Sequence, residues 1–289
     1  MIVVKDPKNP KGIVWLASYP KSGNTWLRMF LYQLVRIQGG YPREPDELNK
    51  LDRASGYEAR LFSLFEGSLG KPVAGATDNE VMSVRALVHA LVADRAPSVA
   101  LLKTHNLLGQ IGTAPLINLA VSLGAIYIVR DPRDVAPSLA KHLGTDVDGA
   151  IAVMNRPEFS TPNEAEQVFE VWGSWSEHVR SWTVPQQGAV LVVRYEDMLA
   201  RPTDTFSAIV RHLRQKAPPG QITEAIELSS FDRLKRQEDD YEFRERSVRA
   251  DRFFVAGTAG SWKEKLTAAQ ADAIVGAHRE QMERFGYLA

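Results

Sequence analysis

Residues 15–30 read WLASYPKSGNTWLRMF, an apolar run that passes through Lys-Ser-Gly-Asn-Thr directly into a stretch with helical apolar spacing. A strand that turns tightly into a helix leaves the first helical amides pointing toward one small volume, where an anion is favourable. Gly23 lets the backbone approach closely, Ser22, Asn24 and Thr25 add side-chain donors, and Lys21 adds a positive charge. The loop thus has the make-up of an oxyanion cradle. In the nucleotide-hydrolase loop G-x-x-x-x-G-K-[ST] the lysine follows the last glycine, next to a hydroxyl for magnesium. Here Lys21 precedes Gly23. An ordinary strand-to-helix turn with Thr25 as N-cap accounts for the same residues without a ligand.

The rest of the chain fits a strand that feeds a helix. Ile13–Ala17, Val99–Lys103, Ala125–Arg130 and Ala189–Tyr195 are short apolar runs rich in β-branched and aromatic residues, which predicts buried strands. Helical spacing covers Thr25–Ile37, Glu80–Ala93, Pro132–His142, Ala165–Trp182 and Thr203–Gln215. Alternation of the two predicts an α/β fold with a central, mainly parallel sheet flanked by helices, and ligands beyond the carboxyl ends of the strands. No repeat or Pro/Gly/Ser linker divides the 289 residues, so a single domain, 1–289, is expected. Residues 39–79 fit this frame poorly. So does the densely charged run 231–252, which reads either as a solvated helix and loop or as a lid over a site.

Composition narrows the function. Thirty-five basic and thirty-five acidic residues leave no net charge for long-range capture of nucleic acid or an anionic membrane, so any anion site is local. The chain has no cysteine, which excludes disulfides, thiolate catalysis and cysteine metal sites and fits the cytoplasm. No apolar run reaches the roughly 18 residues of a spanning helix, and the first twelve residues lack the apolar core of a signal peptide.

Two further stretches carry candidate chemistry. In AIYIVRDPRDVAPSLAKHLG, Arg130 ends a strand, Asp131-Pro132 starts a helix as N-cap and N1, and Ser138 stands two turns in. Taken singly, Arg130 could be an ion-pair partner of Asp131 or Asp134, and Ser138 a surface serine. In VALLKTHN, Lys103 and His105 end a strand, and an imidazole titrating near pH 6.5 can accept a proton at neutral pH.

The stretch YPKSGNTW resembles the 5′-phosphosulfate loop of the sulfotransferases that use 3′-phosphoadenosine 5′-phosphosulfate (PAPS) as donor and release 3′-phosphoadenosine 5′-phosphate (PAP). The resemblance implies that Lys21 holds the bridging oxygen, that Ser22, Gly23, Asn24 and Thr25 hold the 5′-phosphate, and that Trp26 stacks on adenine. It assigns Arg130 and Ser138 to the 3′-phosphate, Tyr195 of LVVRYEDM to adenine, His105 to the general base and Lys103 to a second cation. FFVAGTAGSWKEKLT matches the family's R-K-G-x-x-G-x-W-[KR] at Gly257, Gly260, Trp262 and Lys263, whereas Val255 and Ala256 replace its basic pair. Either the amides around Gly257 or a nearby cation such as Arg252 would then serve the 3′-phosphate. The implied activity is sulfuryl transfer to a hydroxyl, or an amine, of a small-molecule, sugar or natural-product acceptor, with no metal. The family's dimer pattern survives only as Lys263, Thr267, Ala268 and Asp272, which leaves a homodimer open. A P-loop nucleotide hydrolase or kinase and a non-catalytic nucleotide-binding relative are the alternatives.

Overall fold

The computed structural model describes residues 11–184, 189–246, 252–254 and 257–288. The four apolar runs are strands β1 (Gly12–Ser18), β3 (Val99–Thr104), β6 (Ser122–Val129) and β7 (Val190–Arg194), and the short β2 (Gly56–Tyr57) joins them. Their order is β2-β3-β1-β6-β7, with β1 and β2 both parallel to β3. β4 (Gln110–Ile111) and β5 (Ala114–Pro115) form a separate antiparallel pair. Every residue of β1 is buried, which is why its sequence is a continuous apolar run and not an alternation. The expected α/β architecture with a central parallel sheet is therefore the observed one.

The chain forms two compact units. The first holds the described residues of 1–19, 56–127 and 156–192, hence most of the sheet, with helices α2 (Phe62–Leu69), α3 (Asp78–Arg95) and α6 (Trp175–Thr183). A capping box starts α3: the Thr77 hydroxyl accepts the Glu80 amide at 3.3 Å while the Glu80 carboxylate accepts the Thr77 amide at 2.9 Å. Trp15, Phe65, Tyr127, Phe169, Trp175 and Trp182 fill this unit's core.

The second unit holds the described residues of 20–55, 128–155 and 193–289. Its helices are α1 (Asn24–Gln38), α4 (Pro132–Leu143), α5 (Val147–Asn155), α7 (Tyr195–Ala200), α8 (Pro202–His212), α9 (Pro219–Leu228), α10 (Phe231–Asp240), α11 (Trp262–Lys265) and α12 (Ala268–Arg284). Leu27, Phe30, Leu31 and Leu34 give α1 its buried face, and α1 packs on α9 while α12 packs on α4 and α5. Among the described residues no helix is long and apolar enough to cross a membrane.

One expected helix is mostly something else. Of Ala165–Trp182 only the part from Trp175 on is helical, in α6, because Gly173 adopts φ +61° and Ser174 then caps a new helix with Glu177. The residues before it are tied down in extended form: Asn163 Oδ1 accepts the Phe169 amide (2.9 Å), the Thr161 amide donates to Glu170 O (2.9 Å), and Trp172 N bonds Phe159 O (2.8 Å). Side-chain acceptors such as Asn163 Oδ1 and Thr161 Oγ1, which takes the Glu170 amide at 2.9 Å, compete with the helical ladder and here they win.

Candidate active site

Most candidate groups lie at or just after the carboxyl end of a strand. After β1 the chain turns through Tyr19-Pro20-Lys21-Ser22-Gly23 into α1. Lys21 sits in the left-handed region at φ +67° and Gly23 at φ +105°, so two left-handed residues in three tighten the turn. Gly23, not Thr25, is the N-cap; it offers no side-chain bond, and no acidic residue occupies the first turn. The positive end of α1 therefore meets no carboxylate of its own helix. A Cβ on Gly23 would come within 2.6 Å of the Tyr195 ring, so both the backbone angle and the packing require glycine there. Ser22 is 1% exposed and its buried hydroxyl has no partner among the described residues. An unmet buried hydroxyl costs on the order of 1–3 kcal/mol, and an anion oxygen would satisfy it.

Arg130 follows β6 and is itself buried. Its Nη1 donates to the Lys21 carbonyl at 3.0 Å and its Nη2 to the Thr258 carbonyl at 3.3 Å, so one guanidinium ties the loop at Lys21 to the segment after Gly257. Its carbon lies 4.4 Å from the Tyr195 ring centre, and its buried Nε has no partner among the described residues. The ion-pair alternative fails for geometric reasons. Asp131 accepts the Arg133 guanidinium at 2.7 Å and caps α4 through the Arg133 amide, with Pro132 at N1 as expected. Asp134 is engaged by Gly260 N (2.6 Å), Ser261 Oγ (3.1 Å) and Trp262 N (2.8 Å). Ser138, half-buried, stands one turn beyond Asp134 on that same helix face.

Around this cradle the aromatic residues are packed edge to face. Trp26 meets Tyr195 at 5.9 Å and Phe206 at 5.4 Å between ring centres. Lys21 Nζ lies 3.7 Å from the centre of the Phe253 ring. Phe253 is held from behind, since the Glu238 carboxylate accepts the amides of Phe253 (2.5 Å) and Phe254 (2.9 Å). A Cβ on Gly257 would meet the Phe231 ring at 2.4 Å. Val255 and Ala256 lie outside the described residues, as do 247–251 of the charged run. In that run α10 is anchored by buried Leu234 and Glu238, and Phe243 joins the same apolar cluster.

In the first unit, Lys103 and His105 close β3. Both are buried, and Lys103 Nζ sits 3.7 Å over the Tyr57 ring. His105 Nδ1 is 2.7 Å from the Ser18 carbonyl, which can only accept, so the neutral ring carries its proton on Nδ1 and its lone pair on Nε2. That is the tautomer a general base at Nε2 requires. The main chain of His105 is also fixed on both sides: its amide donates to Glu170 Oε1 at 2.8 Å, and its carbonyl accepts from His178 Nε2 at 3.0 Å. His178 accepts the Tyr127 hydroxyl on Nδ1 at 2.9 Å; burial pushes its pKa down to about 3, so it stays neutral.

With this geometry in place, a family model described as a sulfotransferase domain matches residues 11–286. The chain belongs to the sulfotransferase family. A guinea pig (Cavia porcellus) 3-alpha-hydroxysteroid sulfotransferase is 25% identical over 276 residues, 92% of this chain and 82% of that protein. Rat (Rattus norvegicus) sulfotransferase 2A6 is 30% identical over 167 residues, covering 55% of this chain and only 57% of its own length. Among solved structures, retinol dehydratase in complex with androsterone and inactive cofactor PAP superposes with a TM-score of 0.60 at 20% identity, over 93% of this chain and 80% of that one. Mouse sulfotransferase SULT7A1 complexed with PAP gives 0.58 at 20% identity, over 94% and 85%. At that identity the structural likeness speaks for the fold.

As a sulfotransferase, the chain carries three supports that its motifs do not announce. Arg28, fully buried on α1, reaches Glu245 (2.5 Å), Asp52 (3.2 Å) and the Ser55 hydroxyl (2.9 Å). Asp134 anchors the loop of the family's C-terminal motif. Its position two residues after the Pro at N1 reads equally well as a first-turn acid, so only the fold reveals the partners. Asp134→Ala is expected to cost about 1.5–3 kcal/mol, the range for charge-assisted bonds, read as a lower midpoint of urea unfolding. A parental midpoint would mean that the bonds to Gly260, Ser261 and Trp262 contribute no net stability. The third support is Glu170 with Tyr57, in segments whose spacing carried no motif.

Proposed function

We propose that the chain transfers the sulfuryl group of PAPS to a hydroxyl of a small-molecule, sugar or natural-product acceptor, an amine being the less favoured acceptor, in the cytoplasm. One observation carries the donor assignment: Ser22 Oγ and Arg130 Nε, two groups that seek anion oxygens, are buried without a partner among the described residues, on the loops after β1 and β6. The residues therefore fit a nucleotide bearing phosphates at both its 5′ and 3′ positions. Ser22, Gly23, Asn24 and Thr25 would hold the 5′-phosphate, Arg130 and Ser138 with the Gly257 segment the 3′-phosphate, and Trp26 and Tyr195 the adenine. The PAP named in the two solved relatives supports the same donor.

When bound, that donor supplies a sulfuryl group on a good leaving phosphate. Lys21 would neutralise the charge gathering on the phosphate side, and His105 Nε2 would take the acceptor proton. Lys103, desolvated against Tyr57, would add a second positive charge. In such transfers positioning and electrostatics do most of the work. The hydroxysteroid activity in the name of the guinea pig relative makes a sterol hydroxyl the first acceptor to try.

Calorimetry and a labelled transfer assay test the reading. PAP is expected to bind without magnesium and in preference to ATP, and Arg130→Ala to weaken it about 10–100-fold, the value of losing charge-assisted bonds. Equal affinity of variant and parent would remove Arg130 from the donor site. Tight, magnesium-dependent ATP or GTP binding with none to PAP would return the chain to the nucleotide hydrolases. Transfer of ³⁵S from PAPS to a panel of hydroxysteroids, phenols and sugars identifies the acceptor; PAP binding with no transfer to any of them would favour a binding-only relative.

A further inference from the structure

We propose that Glu170 is a positioning residue of this enzyme, holding His105 and, through Tyr57, Lys103. The proposal rests on His105 being the base. The Glu170 carboxylate accepts the His105 amide through Oε1 at 2.8 Å and the Tyr57 hydroxyl through Oε2 at 2.7 Å. Tyr57 in turn lays its ring face 3.7 Å from Lys103 Nζ and meets the His105 imidazole edge-on at 5.9 Å between centres. One carboxylate thus reaches both groups that end β3, one directly and one through a single side chain.

Glu170 is 0% exposed and could have been replaced by an apolar residue if only packing mattered, since burying a carboxylate is costly unless its bonds are made. Its own backbone is fixed on both sides, by Thr161 Oγ1 accepting its amide at 2.9 Å and by the Thr161 amide bonding its carbonyl at 2.9 Å. A fixed carboxylate can fix what it holds. Nearby lies a second buried carboxylate, Glu58, bound to Arg85, to His89 Nε2 (3.4 Å) and to Asn106 Nδ2 (2.9 Å). Burial first, and then the Glu58 charge, raise the Glu170 pKa; glutamine, of the same length and still carrying an oxygen acceptor, is the substitute that tests the bond to the His105 amide. The consequence falls on His105: the Nδ1–H bond to Ser18 holds only while the main chain of His105 stays where Glu170 Oε1 sets it.

Nitrogen-15 NMR of the His105 ring, assigned by subtraction with His105→Gln, reads this without any acceptor. In the parent the ring is expected as the Nδ1–H tautomer. Glu170→Ala is expected to shift it toward a mixture with Nε2–H, and Glu170→Gln, which keeps an acceptor for the His105 amide, to restore the parental form. Parental PAP affinity in each variant certifies the fold. A parental tautomer in a folded Glu170→Ala protein overturns the proposal. If that variant does not fold, amide hydrogen exchange decides: protection of the His105 amide is expected to drop about tenfold in Tyr57→Phe, where one of the two bonds on the carboxylate is lost, and to stay parental in Glu170→Gln. Equal protection in Tyr57→Phe and parent then overturns it. Because these readouts need no turnover, failure of sulfuryl transfer in the ³⁵S panel would remove the functional reading and leave the positioning result standing.

Discussion

Lys21→Ala is expected to lower the rate of transfer from ³⁵S-labelled PAPS by about 10²–10³-fold, the usual loss when one charge-stabilising donor is removed, while PAP affinity falls much less. The asymmetry follows from what the side chain would do: charge on the leaving phosphate is greatest in the transition state, so its partner contributes there and little to ground-state binding. Backbone geometry supplies a control. Lys21 holds φ +67°, a conformation that costs a non-glycine residue on the order of 1–2 kcal/mol, so Lys21→Gly removes the charge while relieving the turn. Its melting temperature is expected to equal or exceed the parent's while turnover collapses as in Lys21→Ala. A Lys21→Gly enzyme with parental turnover would show that the loop amides and Arg130 suffice and that the lysine is a passenger. A variant that lost PAP affinity and turnover in equal measure would instead make Lys21 a plain binding group.

The same loop shows how much of this enzyme can be read in its residues. Its strand, its helix and its anion-binding composition are local properties, fixed by apolar spacing, Gly23 and the donors around it, and the structure bears out the strand and the helix. The strand ends at Arg130 and His105 were legible for the same reason. What could not be read is held by contacts distant in sequence. Glu170 lies 65 residues from the amide it accepts, in a stretch whose apolar spacing suits a helix, where Gly173 at φ +61° and bonds to the Asn163 and Thr161 side chains take the place of a helical ladder. Tyr57 sits in a two-residue strand too short for any periodicity to announce. Thr25 looks like a cap because a hydroxyl at a helix start usually is one; the cap falls on Gly23 because a left-handed φ there ends the turn two residues earlier. Thr267, matched to a dimer pattern, caps α12 by accepting the Gln270 amide, a local duty that explains it without a partner chain.

His105→Ala is expected to reduce turnover by about 10²–10⁴-fold, the contribution of a positioned general base, with PAP affinity near the parental value. The geometry sharpens this beyond a simple loss. Because the Ser18 carbonyl receives Nδ1–H, the basic nitrogen is Nε2, and a replacement that offers an acceptor at the Nδ1 position alone cannot take over. His105→Asn, whose amide ends near Nδ1, is therefore expected to be as slow as His105→Ala, whereas His105→Gln, whose amide reaches toward Nε2, offers an acceptor in the right place but too weak a base to recover more than a small part of the rate. The parental rate should fall with the unprotonated imidazole as pH drops, and that limb should vanish in all three variants. The neighbouring His178 does not contribute to it, since burial keeps that ring neutral down to about pH 3. If His105→Ala retained parental turnover, or kept the acid limb of its pH profile, the proton would be leaving by another route and His105 would be no more than the buried end of β3.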